Sequence, residues 1–170
     1  VLRRSPLDAR WVPEENLHLT LQFLGDTPEE QVPAIVQGLN LVAGEVAPFK
    51  LVISGVGVFP SVERPRVLWV GVSGETTALA DLHRRVQREM GLLGFAAEQR
   101  KFSPHLTLAR IRSPWDIRSL LQKAEEYAEG VKNFGEIKVV SIELMQSELR
   151  PAGAKYYVLA SMPLSGLPAV

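Results

Sequence analysis

Along this chain, stretches with apolar residues at every second position give way to stretches with apolar residues three or four apart, and the switching of period lays out the elements. Leu17, Leu19 and Leu21 alternate with His18, Thr20 and Gln22, which predicts a strand over about 17–24 with its leucines turned to a core. Gly25 and Asp26 end it. Thr27-Pro28-Glu29-Glu30 then opens a helix to about residue 42, with Thr27 as N-cap, Pro28 at the first helical position and Glu30 completing a capping box. Residues 49–59 and 66–72 read as a hairpin whose long tip holds Pro60, Ser61, Glu63, Arg64 and Pro65. A second helix over about 75–93 carries Leu79, Leu82, Val86, Met90 and Leu93 at helical spacing and stops at Gly94. Leu106 and Leu108 then alternate with His105 and Thr107 in another strand. Ser113-Pro114-Trp115-Asp116 repeats the helix-opening chemistry, and two last strands, at about 136–148 and 156–162, flank the turn residues Pro151, Ala152 and Gly153.

Strand, capped turn and helix thus follow His18 and follow His105 again. The pattern predicts an α+β fold of two pseudo-symmetric lobes of antiparallel sheet with helices on the outside. Each lobe gives one histidine strand to a central cleft, in a single bilobal domain over 1–170.

The histidine strands share more than a period. His-Leu-Thr-Leu stands at His18–Leu21 and again at His105–Leu108, and the two copies use two of the three histidines in the chain. Chance repetition after both is roughly a one-in-thousands event at average composition. Period-two geometry sets each His beside its own Thr, roughly 6.5 to 7 Å apart, the reach at which an imidazole and a hydroxyl touch different oxygens of one phosphate. Imidazoles titrate near neutral pH, so of two facing histidines one can be protonated while the other is neutral. That pair supplies both the base and the acid for in-line displacement at phosphorus, while the threonine hydroxyls hold the non-bridging oxygens. A lone His or Thr on a strand is usually structural, but structure does not require both copies to keep both residues.

Composition narrows the partners. Lys plus Arg and Asp plus Glu both number 19, so there is no overall positive field for a long duplex, and a small phosphorylated ligand or an RNA end fits better. There is no cysteine, which removes disulfides, thiolate zinc sites and cysteine nucleophiles, and no apolar run of membrane-spanning length. The expectation is a cytoplasmic monomer without membrane contact. His83, beside Asp81, Arg84 and Arg85, reads as a solvated helix-surface residue, and with no acidic or histidine cluster to complete a site, no metal or other cofactor is expected.

On these residues the chain resembles the 2H phosphoesterases, named for two His-x-Thr or His-x-Ser motifs, and within them the RNA 2',3'-cyclic phosphodiesterases long called 2'-5' RNA ligases. The likeness runs through Glu15–Gly25, Gly55–Pro60, Arg66–Gly71, Ser103–Arg110 and Leu144–Leu149. Such proteins usually begin with a strand and a helix ahead of the first motif, whereas 17 residues precede His18, so the chain reads as lacking that piece. The resemblance implies that His18, Thr20, His105 and Thr107 hydrolyse a nucleoside or RNA 2',3'-cyclic phosphate to a 2'-phosphate without metal, with weak reverse 2'-5' ligation. His105 is preferred as base and His18 as acid, an assignment their nearly identical contexts leave open. Phe59, Arg64, Arg66, Phe102, Arg110 and Tyr156 are candidate substrate-binding residues. In a regular strand Arg110 and Arg112 turn to the leucine face, and only a bulge brings one back. Phe23 reads as core. The alternative is a non-catalytic module that binds RNA ends or nucleotides.

Overall fold

The computed structural model describes residues 8–113, 117–131, 134–150 and 153–167. Its elements run β1 (Ala9–Trp11), α1 (Val32–Glu45), β2 (Phe49–Phe59), β3 (Val67–Gly74), α2 (Thr76–Leu92), β4 (His105–Ile111), α3 (Ile117–Val131), β5 (Gly135–Val139), β6 (Ser141–Arg150) and β7 (Gly153–Pro163). This is an α+β fold with a five-stranded sheet in the order β1-β4-β3-β2-β5 and a two-stranded sheet of β6 and β7. The pairs β1–β4, β4–β3, β3–β2 and β6–β7 are antiparallel.

The chain divides into two compact, interleaved units. The first comprises the described residues of Val1–Thr20, Leu51–Gly74 and Ser103–Ile137. Its core is one face of the large sheet under α3: Val58, Leu68, Ala109 and Ile111 pack with Ile117 and Leu120, and Ala9, Trp11, Val56 and Leu108 fill the margin. Removing that apolar surface from water is what fixes which face each strand turns inward. Both histidine motifs fall in this unit, where the internal repeat predicts one in each lobe; the division runs between Thr20 and Leu21.

The second unit comprises the described residues of Leu21–Lys50, Glu75–Phe102 and Lys138–Val170. In it α1 packs on α2 and against β6 and β7. Ile35, Leu39 and Val42 on α1 and Leu79, Leu82, Val86 and Met90 on α2 are buried at helical spacing, with Ile142, Leu144 and Met162 buried on the hairpin. Arg85 joins Asp81 one turn away to Glu45 at the end of α1, and its hydrogen bond holds the Asp81 carboxyl below the usual carboxylate range. The tail closes over the same helix end, with Ser165 N–H donating to Ala43 C=O at 3.0 Å and Gly166 N–H to Val46 C=O at 3.0 Å. A Cβ on Gly166 would lie 2.5 Å from Glu45 backbone carbon. Gly166→Ala is therefore expected to cost about 1–3 kcal/mol, read as a lower urea midpoint.

Four expectations change. The segment over 17–24 is not a regular strand: Leu19 alone makes a bridge, to Leu106. Alternation reports which side a residue faces, not whether a ladder partner exists. Phe23, expected in the core, is 79% exposed. The first helix opens later than Thr27-Pro28 suggests, because Glu29–Gln31 forms a 3-10 turn and Pro33, in the first turn of α1, sets the α-helical start. Thr27 Oγ1 donates to Gly25 C=O at 3.2 Å instead of capping. The run over 136–148 breaks at Val140 into β5, on the large sheet, and β6, on the small one; Val140 accepts a hydrogen bond from Leu164 N–H at 2.8 Å. Pro114, Trp115 and Asp116 lie outside the described residues, as does most of the turn at 151–153.

Candidate active site

The two motifs meet on one edge of β4. Leu19 and Leu106 form an antiparallel bridge, and ladder geometry continued one residue either way would set His18 beside Thr107 and Thr20 beside His105. Both leucines take the opposite sheet face, and Leu106 is buried. Directly opposed residues on one face have Cβ atoms about 4.5–5.5 Å apart, which is a spacing for enclosing one phosphate among four side chains.

The same backbone device orients both imidazoles. His18 Nδ1 lies 2.7 Å from Asn16 C=O, and His105 Nδ1 lies 2.7 Å from Ser103 C=O. A carbonyl only accepts, so each Nδ1 carries the proton and each Nε2 the lone pair of the neutral ring. Local sequence builds this twice. The 3-10 turn at Glu14–Asn16 presents the Asn16 carbonyl, and Pro104 restricts Ser103 to extended backbone, which presents its carbonyl to the residue after the proline.

Beyond Thr107 the β3–β4 register slips by one residue: Trp69 pairs with Thr107 but Leu68 pairs with Ala109, leaving Leu108 as a bulge. The Leu108 carbonyl accepts from Val12 N–H at 2.8 Å. The slip reverses parity, so Ala109 and Ile111 join Leu106 in the buried set and Arg110 stands exposed on the face of His105 and Thr107. Arg112 is exposed past the strand end.

Aromatic rings wall that face. The Phe59 ring meets His105 edge-on at 5.0 Å and tilts against Trp69 at 5.1 Å, and Trp69 lies 6.1 Å from His105. Trp69 spreads over Gly57, its cross-strand partner. Trp69 and Gly57 escaped the sequence reading as site residues, although a glycine inside a strand signals close approach of another group.

The remaining candidates are spread over both units. Arg64, in the hairpin tip, and Arg66, just before β3, are exposed. Phe102 belongs to the second unit and stacks on His83 at 3.8 Å with ring planes 9° apart. His83 is thus half-buried against a ring, not a solvated surface residue, and burial pushes its imidazole below the usual range. Tyr156, also in the second unit, is half-buried on β7 opposite Ser147. Among the described residues no group of three or more His, Cys, Asp or Glu side chains could hold a metal ion, and no helix is long and apolar enough to cross a membrane.

An α+β chain with two antiparallel sheets and a doubled His-x-Thr sequence on one strand edge has the make-up of a two-histidine phosphoesterase. Comparison with known proteins fixes the family: residues 2–149 match the model described as the 2'-5' RNA ligase superfamily, and the chain belongs to it. An RNA 2',3'-cyclic phosphodiesterase of Aquifex aeolicus is 38% identical over 158 residues, covering 92% of this chain and 82% of that protein. Among solved structures, TT0787 of Thermus thermophilus is 30% identical with TM-score 0.79, covering 97% of this chain and 87% of that one. LigT of E. coli, solved with 3'-AMP, is 25% identical with TM-score 0.70, covering 95% of this chain and 84% of that one.

Proposed function

We propose that this chain is an RNA 2',3'-cyclic phosphodiesterase that opens the ring at the 3' oxygen and leaves a 2'-phosphomonoester. Relatives 34–38% identical to it bear the name RNA 2',3'-cyclic phosphodiesterase. The observation that supports the reading is the Leu19–Leu106 bridge, which brings the two His-x-Thr motifs together at one edge of β4. In the proposed reaction, water enters opposite the 3' oxygen. One Nε2 takes a proton from that water as its oxygen bonds to phosphorus, and the other histidine, protonated, delivers a proton to the departing 3' oxygen. Thr20 and Thr107 hydroxyls donate to the non-bridging oxygens as charge gathers there. Arg110, returned to this face by the bulge, stands one row beyond Thr107, and Phe59 seats the His105 ring instead of serving as an open stacking platform.

All the groups in this scheme are side chains of the protein, so incubation with each nucleoside 2',3'-cyclic phosphate in EDTA is expected to give full turnover, with the product identified as the 2'-phosphate by chromatography against both isomers. Turnover that disappears in EDTA and returns with a divalent ion would refute the two-histidine chemistry. Tight binding of the cyclic phosphates with no product would select a binding module instead.

A further inference from the structure

Arg10 on β1 stands directly opposite Arg110 on β4. Partners at one register position of an antiparallel pair project to the same face. Their neighbours Ala9, Trp11, Ala109 and Ile111 all pack with the core under α3, so both guanidinium groups take the other face, the one bearing His105 and Thr107. Among the described residues neither arginine forms an ion pair with a carboxylate. Like charges directly opposed across a sheet destabilise it. What relieves the repulsion is an anion between them, and paired guanidinium forks match the oxygens of a phosphate.

The place of the pair tells which phosphate. Arg10, Arg110, Val67 and Phe59 form one transverse row across β1, β4, β3 and β2, and Thr107, Trp69 and Gly57 form the next row on that face. Same-face rows are about 7 Å apart, comparable with the separation of successive phosphates along a nucleic-acid strand. With the cyclic phosphate among the two His-Thr pairs, the arginines stand one phosphate away. We propose that Arg10 and Arg110 bind the phosphodiester that precedes the cyclic phosphate, so the site takes the 3' end of an RNA strand in preference to a free nucleoside cyclic phosphate. This rests on the phosphodiesterase reading above.

The test compares adenosine 2',3'-cyclic phosphate, which has no upstream phosphate, with the dinucleotide ApA ending in the same ring, using wild type, Arg10→Gln and Arg10→Lys. Wild type is expected to show the lower KM for the dinucleotide. Arg10→Gln is expected to raise that KM about tenfold, toward the nucleoside's, as loss of a charged hydrogen-bonding contact does, and to reduce the log–log salt slope of dinucleotide KM by about one. Arg10→Lys is expected to recover part of the preference. Equal KM changes on the two substrates, or no change on either, would overturn the upstream site while leaving the phosphodiesterase reading standing. A wild type that opens neither substrate would overturn both.

Discussion

Alanine in place of either His18 or His105 is expected to lower kcat for a 2',3'-cyclic phosphate by about 10² or more, the usual worth of a positioned acid or base. The two losses belong to one step, because proton removal from water and proton delivery to the 3' oxygen accompany a single displacement. The double variant is therefore expected to be about as inactive as either single one. Wild type is expected to follow a bell-shaped pH–rate profile, since one imidazole must be neutral while the other is protonated, and each single variant to keep only one limb. Folding is expected to survive: His18 is exposed, and neither ring belongs to the core under α3. Rates measured beside thermal midpoints separate the two effects. A variant that keeps its midpoint and turns over within a few-fold of wild type would remove that histidine from the chemistry and leave a single-base mechanism.

Much of the candidate site is legible in the sequence, because its two halves are written as a repeated tetrapeptide, and a repeat is a one-dimensional signal. The hairpin of β2 and β3, the helix α2 and the strand β4 were legible for a similar reason: each is seven or more residues long, enough to display its period over part of its length. What escaped depends on register. Arg10 sits in a strand of three residues, too short to display a period, and it matters only because it falls opposite Arg110, one hundred positions along the chain. Strict alternation places Arg110 on the leucine face, and the single unpaired residue at Leu108 reverses that. The Thr27 cap failed because local chemistry offers two proline-led starts, at Pro28 and Pro33, and packing of α1 chose the second. Phe102 and His83 were each read singly, and their stack joins a helix to a loop 19 residues further on.

The bulge also accounts for how one strand serves both a core and a site. Leu106, Ala109 and Ile111 are buried while His105, Thr107 and Arg110 face away, an arrangement that strict alternation cannot produce with these residue spacings. Deleting the unpaired residue would flip every side chain after it. Arg110 would enter the apolar face under α3, and Ala109 and Ile111 would leave it. Core and site are thus coupled through register.

Gly57→Ala is expected to damage both at once. A Cβ at this position would lie 2.3 Å from Trp69 Cζ2 and 2.6 Å from Cη2, well inside contact distance. Gly57 and Trp69 face each other in the β2–β3 ladder, so backbone pairing resists separation and the indole must move. Overpacking of this kind costs about 1–3 kcal/mol. The displaced indole pushes on Phe59, whose ring lies against His105, and a misplacement of about 1 Å at a reacting group can cost about 10² in rate. Loss of kcat beyond the loss of stability is therefore expected, with KM changed less. The smaller ring of Trp69→Phe in the same chain should relieve the overlap and restore the His105 seat, and it gives up no hydrogen bond, because the buried Trp69 Nε1 has no partner among the described residues. Kinetics and urea midpoints of Gly57→Ala, Trp69→Phe and the double variant decide the matter. If the double variant recovers neither rate nor stability, or if Gly57→Ala loses stability with kcat intact, the ring stack does not hold His105 in place and its orientation rests on the Ser103 carbonyl alone.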